Sequence, residues 1–292
     1  MLRNFNQIKD MVHLKQPKHM AVVFPHDEQV IGAVIKAFHA GIIQPILIGH
    51  KPVIKTLIKQ EAMVIIDEPD EEKACKIAVD LVNKGQADLL MKGLIDTKTL
   101  LKAVVHKTYG IRQDRLLSHV GLLSYPHYER MLLITDGAMN IMPNVEEKIQ
   151  MIENAVKLAH ALHIDKPKVG LVSAVEKVNL KMVSTVDAKV IVDYYQDKRL
   201  TFEIDGPFAI DNLVDEKAAH HKGIKSPVAG LADILVFPNI ESGNVFYKTS
   251  VFLANADSAG MILGAKVPII LTSRADSMDA KVNSIYLGVV IE

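Results

Sequence analysis

Strand-length runs rich in Val, Ile, Leu and Met recur along the chain at 21–24, 45–49, 63–66, 87–91, 131–135, 169–172, 231–237, 267–272 and 286–291, each ended by a turn or a polar group. Near-continuous apolar runs of this length predict strands buried on both faces, as in a parallel sheet covered by helices. Helical periodicity fills the intervals. Over 27–40 the positions Val30, Ile31, Val34, Ile35 and Phe38 share one face, and Gly41 follows as a stop. Asn144 precedes another helical stretch with Glu147 three residues on, the spacing of a capping box. Ile149, Ile152, Val156 and Ala159 then predict a buried stripe. Strand and helix alternate to the end of the chain, so the fold class is α/β.

A length of 292 residues fits two α/β domains or one large one. With 49% hydrophobic and 23% charged residues, a substantial core is available and disorder is excluded. Lys plus Arg and Asp plus Glu both number 34, so no global field recruits nucleic acid or an anionic membrane. A single cysteine, Cys75, excludes an internal disulfide framework and a multi-thiolate zinc site; its helical context makes it a packing residue. The charged start and the lack of an 18-residue apolar run predict a soluble, cytoplasmic protein without a membrane partner. The twelve histidines show no metal-ligand spacing, HExxH is absent, and no metal is expected. The missing P-loop and GxGxxG count against nucleotide hydrolysis and dinucleotide-dependent redox chemistry. A domain boundary is expected after Thr135-Asp136-Gly137, where an apolar run meets small residues.

Ligands of open α/β sheets bind at the carboxyl ends of strands. Four such ends carry polar groups: Lys92-Gly93; Asp136-Gly137-Ala138-Met139-Asn140; Pro238 to Asn244 with Lys248 beyond; and Thr272-Ser273-Arg274-Ala275-Asp276-Ser277. Hydroxyls, amides and cations at helix starts suit a small anion. Plainer readings compete with each. Ser273 or Ser277 reads as a helix N-cap, Asp276 with Asp279 as a capping pair, Gly243 as a turn residue, Arg274 as a surface ion-pair partner and Lys248 as a solvated cation. The residues by themselves point to an α/β enzyme acting on a small phosphorylated or carboxylated ligand.

The ordered motifs GQADLLMKG at 85–93, DGAMNIMPNVEEK at 136–148, DGP at 205–207, SPVAG at 226–230, FPNIESGNVFYK at 237–248 and TSRADSMDAKVNSI at 272–285 resemble those of the phosphate acetyltransferase/phosphate butyryltransferase family. The likeness covers nearly the whole chain, and the SRADS form is similar to the butyryl branch, since the acetyl enzymes carry SRG. The resemblance implies two α/β domains with mostly parallel sheets flanked by helices, an active-site cleft between domains, and a last segment that returns to the first domain. On that basis residues 1–137 plus 266–292 form the first domain and 138–265 the second.

The implied reaction is reversible transfer of a short-chain or branched acyl group, butyryl above all, between coenzyme A and inorganic phosphate. It proceeds directly within a ternary complex. Coenzyme A, acyl-CoA, phosphate and acyl phosphate are the expected partners, coenzyme A being a substrate and no cofactor being bound. Ser273 matches the family's active-site serine, and the planar fork of Arg274 suits two phosphate oxygens. Asp276 and Asp279 are rival candidates for the general base; an ungapped placement puts Ala280 where the acetyl enzymes have their aspartate. Asn239, Ser242, Gly243 and Asn244 are expected to shape the cleft floor, Gly243 by letting a substrate approach the backbone. Lys248 and Lys102 are expected as cations for the substrate, Lys102 standing where the acetyl enzymes have an arginine that meets coenzyme A. Met139, Ile141 and Met142 are named for the acyl pocket, Arg112 and Arg115 for phosphate, and a homo-oligomer is expected by likeness. Two alternatives stand beside this: a non-catalytic domain of the same fold that senses acyl-CoA, and a metal- and nicotinamide-dependent dehydrogenase of similar layering.

Overall fold

The computed structural model describes residues 2–13, 15–59, 61–273 and 275–291. The chain begins with α1 (Phe5–Val12), β1 (Lys18–Val23), α2 (Glu28–His39), β2 (Ile43–Gly49), α3 (Lys51–Ile58), β3 (Val64–Asp67), α4 (Glu71–Asn83), β4 (Leu89–Lys92) and α5 (Thr97–Val104). It continues with β5 (Ser118–Tyr125), β6 (Tyr128–Thr135), α6 (Val145–Ala161), β7 (Lys168–Val172), α7 (Val183–Tyr195) and β8 (Glu203–Phe208). Then come α8 (Ile210–Val214), α9 (Glu216–His221), β9 (Ile234–Val236), α10 (Ile240–Phe252), β10 (Asp257–Leu263), β11 (Ile269–Ile270) and α11 (Met278–Ile291). These elements pack as two units. One comprises Phe5–Leu117 with the segment from Ser258 onward; the other comprises Ser118–Asp257 with the residues up to Asn4.

In the first unit the strands run in the order β3-β2-β1-β4-β11-β10. All neighbours pair parallel except β10, which lies antiparallel beside β11. The apolar runs explain the centre of this sheet. Met20 to Val23 of β1 and Leu89 to Met91 of β4 are fully buried, as strands covered on both faces must be. Asp27 caps α2, its carboxylate accepting from the amides of Gln29 and Val30 at 3.0 Å each. Val30, Ile31 and Val34 are buried as the periodicity predicts, with Ile35 and Phe38 half-buried at the edge of the stripe. The helix ends at Gly41, whose φ of +71° only glycine adopts without strain.

The run at 286–291, expected as a strand, is the second half of α11. Every residue from Ala280 to Val290 of that helix is buried. A helix enclosed on all sides carries no polar face, so its sequence has no period to distinguish it from a buried strand.

The second unit holds the order β5-β6-β9-β7-β8. β5 and β6 form an antiparallel hairpin, and β6, β9, β7 and β8 are parallel. Leu123, Leu132, Ile134, Leu213, Leu235 and Phe237 belong to its core. The capping box at the start of α6 is present in both directions: Glu147 N–H donates to Asn144 Oδ1 at 2.9 Å, and Asn144 N–H to Glu147 Oε2 at 2.8 Å. The units divide at 117/118 and 257/258, whereas the sequence reading drew its lines at 137/138 and 265/266. The hairpin accounts for the first difference, because β6 is bound to β5 on one side and to β9 on the other.

β5, β8 and β10 are absent from the apolar runs. Polar residues interrupt them and are satisfied inside the fold: Ser118 Oγ accepts from Asn154 Nδ2 at 2.9 Å, and Gly260 N–H donates to Ser284 Oγ at 3.0 Å.

Cys75 lies on the buried face of α4. Burial first, then the Glu71 and Glu72 carboxylates, push its thiol from 9.0 to about 12. The folded protein therefore keeps this proton where the unfolded chain gives it up. The resulting stability is fully present below pH 9.0 and is lost as pH climbs toward about 12. A disulfide reagent at pH 8 is expected to modify native Cys75 at least about a hundredfold more slowly than the urea-unfolded chain. Equal rates would show an accessible thiolate.

Candidate functional site

Parallel pairing of β1, β4 and β11 sends the loops that follow them to one edge of the sheet. Asp27, Lys92, Gly93, Leu94, Thr272, Ser273 and Lys281 line a cavity of about 140 Å³ there. Lys92 is 6% exposed, and its Nζ donates to the carbonyls of Gly93 at 3.2 Å and Ile95 at 2.9 Å. Lys281, on the enclosed α11, is 3% exposed and donates to Asp276 O at 2.6 Å and Ser273 O at 3.4 Å. Burial lowers the affinity of Lys281 for its proton, and the Asp276 and Asp27 carboxylates work against that loss. Two enclosed ammonium groups and the Asp27 carboxylate thus lie beside a serine in one cavity.

The turn that presents Ser273 is closed by Asp276. Ser273 N–H donates to Asp276 Oδ2 at 2.7 Å, and Asp276 N–H returns a bond to Ser273 O at 3.1 Å. Ser277, not Ser273, caps α11, its Oγ accepting from Ala280 N–H at 3.1 Å. The structure thus brings Asp276 to Ser273. Asp279 lies on the exposed side of the first turn of α11 and pairs with Lys36 of α2 at 3.1 Å. Arg274 falls outside the described residues. Lys102, in the last turn of α5, pairs with Glu72 of α4 at 2.8 Å, and that partner raises its pKa by hydrogen bond and charge. Arg112 Nε donates to the Arg115 carbonyl at 3.1 Å.

In the second unit, β6, β9 and β7 likewise deliver their loops to a common edge. Asp136 organises one of them. Its carboxylate is 1% exposed and accepts from His119 N–H (2.9 Å), Ala138 N–H (2.8 Å), Met139 N–H (2.9 Å) and Asn140 Nδ2 (2.6 Å). Asn239 caps α10, with Ser242 N–H and Ser242 Oγ both donating to its Oδ1 at 2.9 Å. Asn244 Nδ2 reaches across to Gly137 O at 2.9 Å. These bonds join the loop after β6 to the start of α10.

Gly243 and Gly137 lie where two backbone segments meet. A Cβ on Gly243 would overlap the Asp136 carbonyl oxygen, and one on Gly137 would lie 3.0 Å from the Gly243 carbonyl carbon. The bare backbone of Gly243 makes room for another backbone segment of the same unit. Lys248 is half-buried on α10, its ammonium 5.5 Å from the Tyr247 ring centre and 5.6 Å from that of Phe252. Of the three residues named for an acyl pocket, Ile141 and Met142 are among the most exposed apolar side chains. Met142 lines a cavity of about 880 Å³ with Asn239 and the part-buried Lys148–Asp187 ion pair, 2.6 Å long.

Sequence reasoning missed Asp27, Lys281 and Lys148. Lys281 lies among Asp279, Asn283 and Ser284, so nothing local announced its burial, and the strand expected at 286–291 broke that helix in two. Among the described residues, no three His, Cys, Asp or Glu side chains gather as metal ligands, and no helix is long and apolar enough to cross a membrane.

Gly243→Ala is expected to lower stability by about 1–3 kcal/mol, because the Asp136–Gly137 backbone must move to admit the methyl group. Urea denaturation measures this, and an unchanged midpoint would mean that the loop yields freely.

The family described as "Phosphate acetyl/butaryl transferase" matches residues 68–289. The phosphate butyryltransferase of Clostridium beijerinckii is 43% identical over 299 aligned residues, covering 100% of this chain and 98% of the relative. The phosphate acetyltransferase of Thermotoga maritima is also 43% identical, over 279 residues, covering 94% of this chain and 95% of its own. The crystal structure of a branched-chain phosphotransacylase from Enterococcus faecalis V583 superimposes with a TM-score of 0.85 at 33% identity, covering 94% of this chain and 98% of the other. With the motifs, the α/β architecture and these full-length likenesses together, the chain belongs to the phosphate acetyl/butyryl transferase family of acyltransferases.

Proposed function

We propose that this protein transfers a short-chain or branched acyl group, butyryl foremost, reversibly between coenzyme A and inorganic phosphate, with both substrates bound at once. The butyryl choice rests on the Clostridium relative and the SRADS form at 273–277, and the branched option on the Enterococcus enzyme. The observation that carries the site assignment is Ser273 at the end of β11, lining a cavity with two buried lysines.

In the forward direction a phosphate oxygen attacks the thioester carbonyl. The new C–O bond forms, the C–S bond breaks, and coenzyme A leaves as a thiolate that takes up a proton. Negative charge grows on the carbonyl oxygen beside an anionic nucleophile, so preorganised donors and cations at that point lower the barrier. In this reading the Ser273 hydroxyl donates to the carbonyl oxygen or the sulfur. Arg274 holds two phosphate oxygens, and Lys92 adds a positive charge beside them. Holding both substrates together supplies much of the remaining acceleration.

Asp276 is the better placed of the two carboxylates, since its Oδ2 meets the Ser273 amide and Asp279 is engaged with Lys36. Asn239, Ser242, Gly243 and Asn244 serve by holding the loops of the second unit in shape. Lys102, after release from Glu72, is assigned to a phosphate of coenzyme A, and Lys248 remains a candidate cation for substrate in its own unit. Coenzyme A enters as a substrate, and the chemistry requires no bound cofactor or metal. A cytoplasmic homo-oligomer completes the proposal.

Release of free thiol from acyl-CoA, with and without phosphate, tests it. Phosphate-dependent release is expected, fastest with butyryl- or isobutyryl-CoA rather than acetyl-CoA. Binding without turnover would instead identify an acyl-CoA sensor. Ser273→Ala and Arg274→Ala are each expected to lower kcat on the order of 10²-fold. Asp279→Asn should stay within about twofold of the parent, as an exposed partner of Lys36 would. Full activity of Arg274→Ala would remove the charge argument.

A further inference from the structure

We infer that Lys281 is a positioning residue for Ser273: its ammonium, anchored in the enclosed helix α11, holds the Ser273–Asp276 turn by its carbonyls and so sets where the serine hydroxyl lies. The inference rests on the proposed role of Ser273 and adds a residue to that site.

The geometry forms a short chain of bonds. Lys281 Nζ donates to Asp276 O at 2.6 Å and more distantly to Ser273 O at 3.4 Å. Asp276 in turn holds Ser273 at both backbone positions, accepting from its N–H at 2.7 Å and donating to its carbonyl at 3.1 Å. Ser273 is therefore fixed through Asp276, and Asp276 through Lys281. The anchor is rigid, because the residues of α11 from Ala280 to Val290 are all buried and Lys281 itself is 3% exposed.

The choice of a lysine needs an explanation. An enclosed ammonium is unfavourable unless its donors are used. Here they are used on the carbonyls of the turn that carries the reactive serine. A methionine of similar length would fill the same space and leave those carbonyls without the ammonium. Asp27 and Asp276 supply the compensating negative charge nearby.

A double-mutant cycle with Ser273→Ala tests this. Lys281→Met is expected to lower kcat about tenfold to a hundredfold while the KM values for butyryl-CoA and phosphate change less than about threefold. Placed on Ser273→Ala, the same substitution is expected to cost less than about twofold more, because the group it acts through is already gone. Circular dichroism and the thermal midpoint verify folding. If Lys281→Met does not fold, Lys281→Gln, which keeps an N–H donor, enters the same cycle with a smaller loss expected. A Lys281 variant as active as the parent, or losses that multiply fully with Ser273→Ala, would overturn the inference, since a merely structural defect multiplies. Should Ser273→Ala itself retain full activity, the site assignment fails instead, and the two failures are told apart.

Discussion

Parallel strand pairing is the constraint on which the chemistry depends. In a parallel sheet every strand ends at the same edge, so residues far apart in sequence emerge side by side. Asp27 follows β1, Lys92 ends β4 and Ser273 follows β11, and the three line one cavity because their strands are neighbours in register. The second unit repeats the device with the loops after β6 and β9, where Asp136 and Asn239 lie. No single loop in either unit holds all of its polar groups.

Two of these loops are fixed by a buried charge. Asp136 spends its carboxylate on three backbone amides and one side-chain amide. Lys281 does the reverse, using an ammonium on backbone carbonyls. Both choices follow from the same fact. A turn at a strand end exposes unpaired N–H and C=O groups, and an enclosed ion of matching sign satisfies several at once. Glycine completes the arrangement where two backbones must touch, as Gly137 and Gly243 do.

Much of this could be read from the chain. The apolar runs located most strands of the parallel sheets, the capping box located the start of α6, and the strand-end rule directed attention to Lys92, Asp136, Asn239 and Ser273. The failures share a cause. β5, β8 and β10 contain polar or small residues whose partners come from distant elements, so no local pattern announced them. The run at 286–291 was strongly apolar, but an enclosed helix has no solvent face and hence no period.

The sequence by itself determined the α/β class, the capping box of α6, the burial of Cys75 and, through its ordered motifs, the family. These depend on neighbours within a few residues or on motif order, both of which are one-dimensional. Tertiary structure alone decided that Asp276 rather than Asp279 meets Ser273, that Gly243 serves a backbone crossing, and that Lys281 reaches the serine turn. Those outcomes depend on which face of a helix a side chain leaves from and which strand lies beside which. Such relations form only when distant segments pack together.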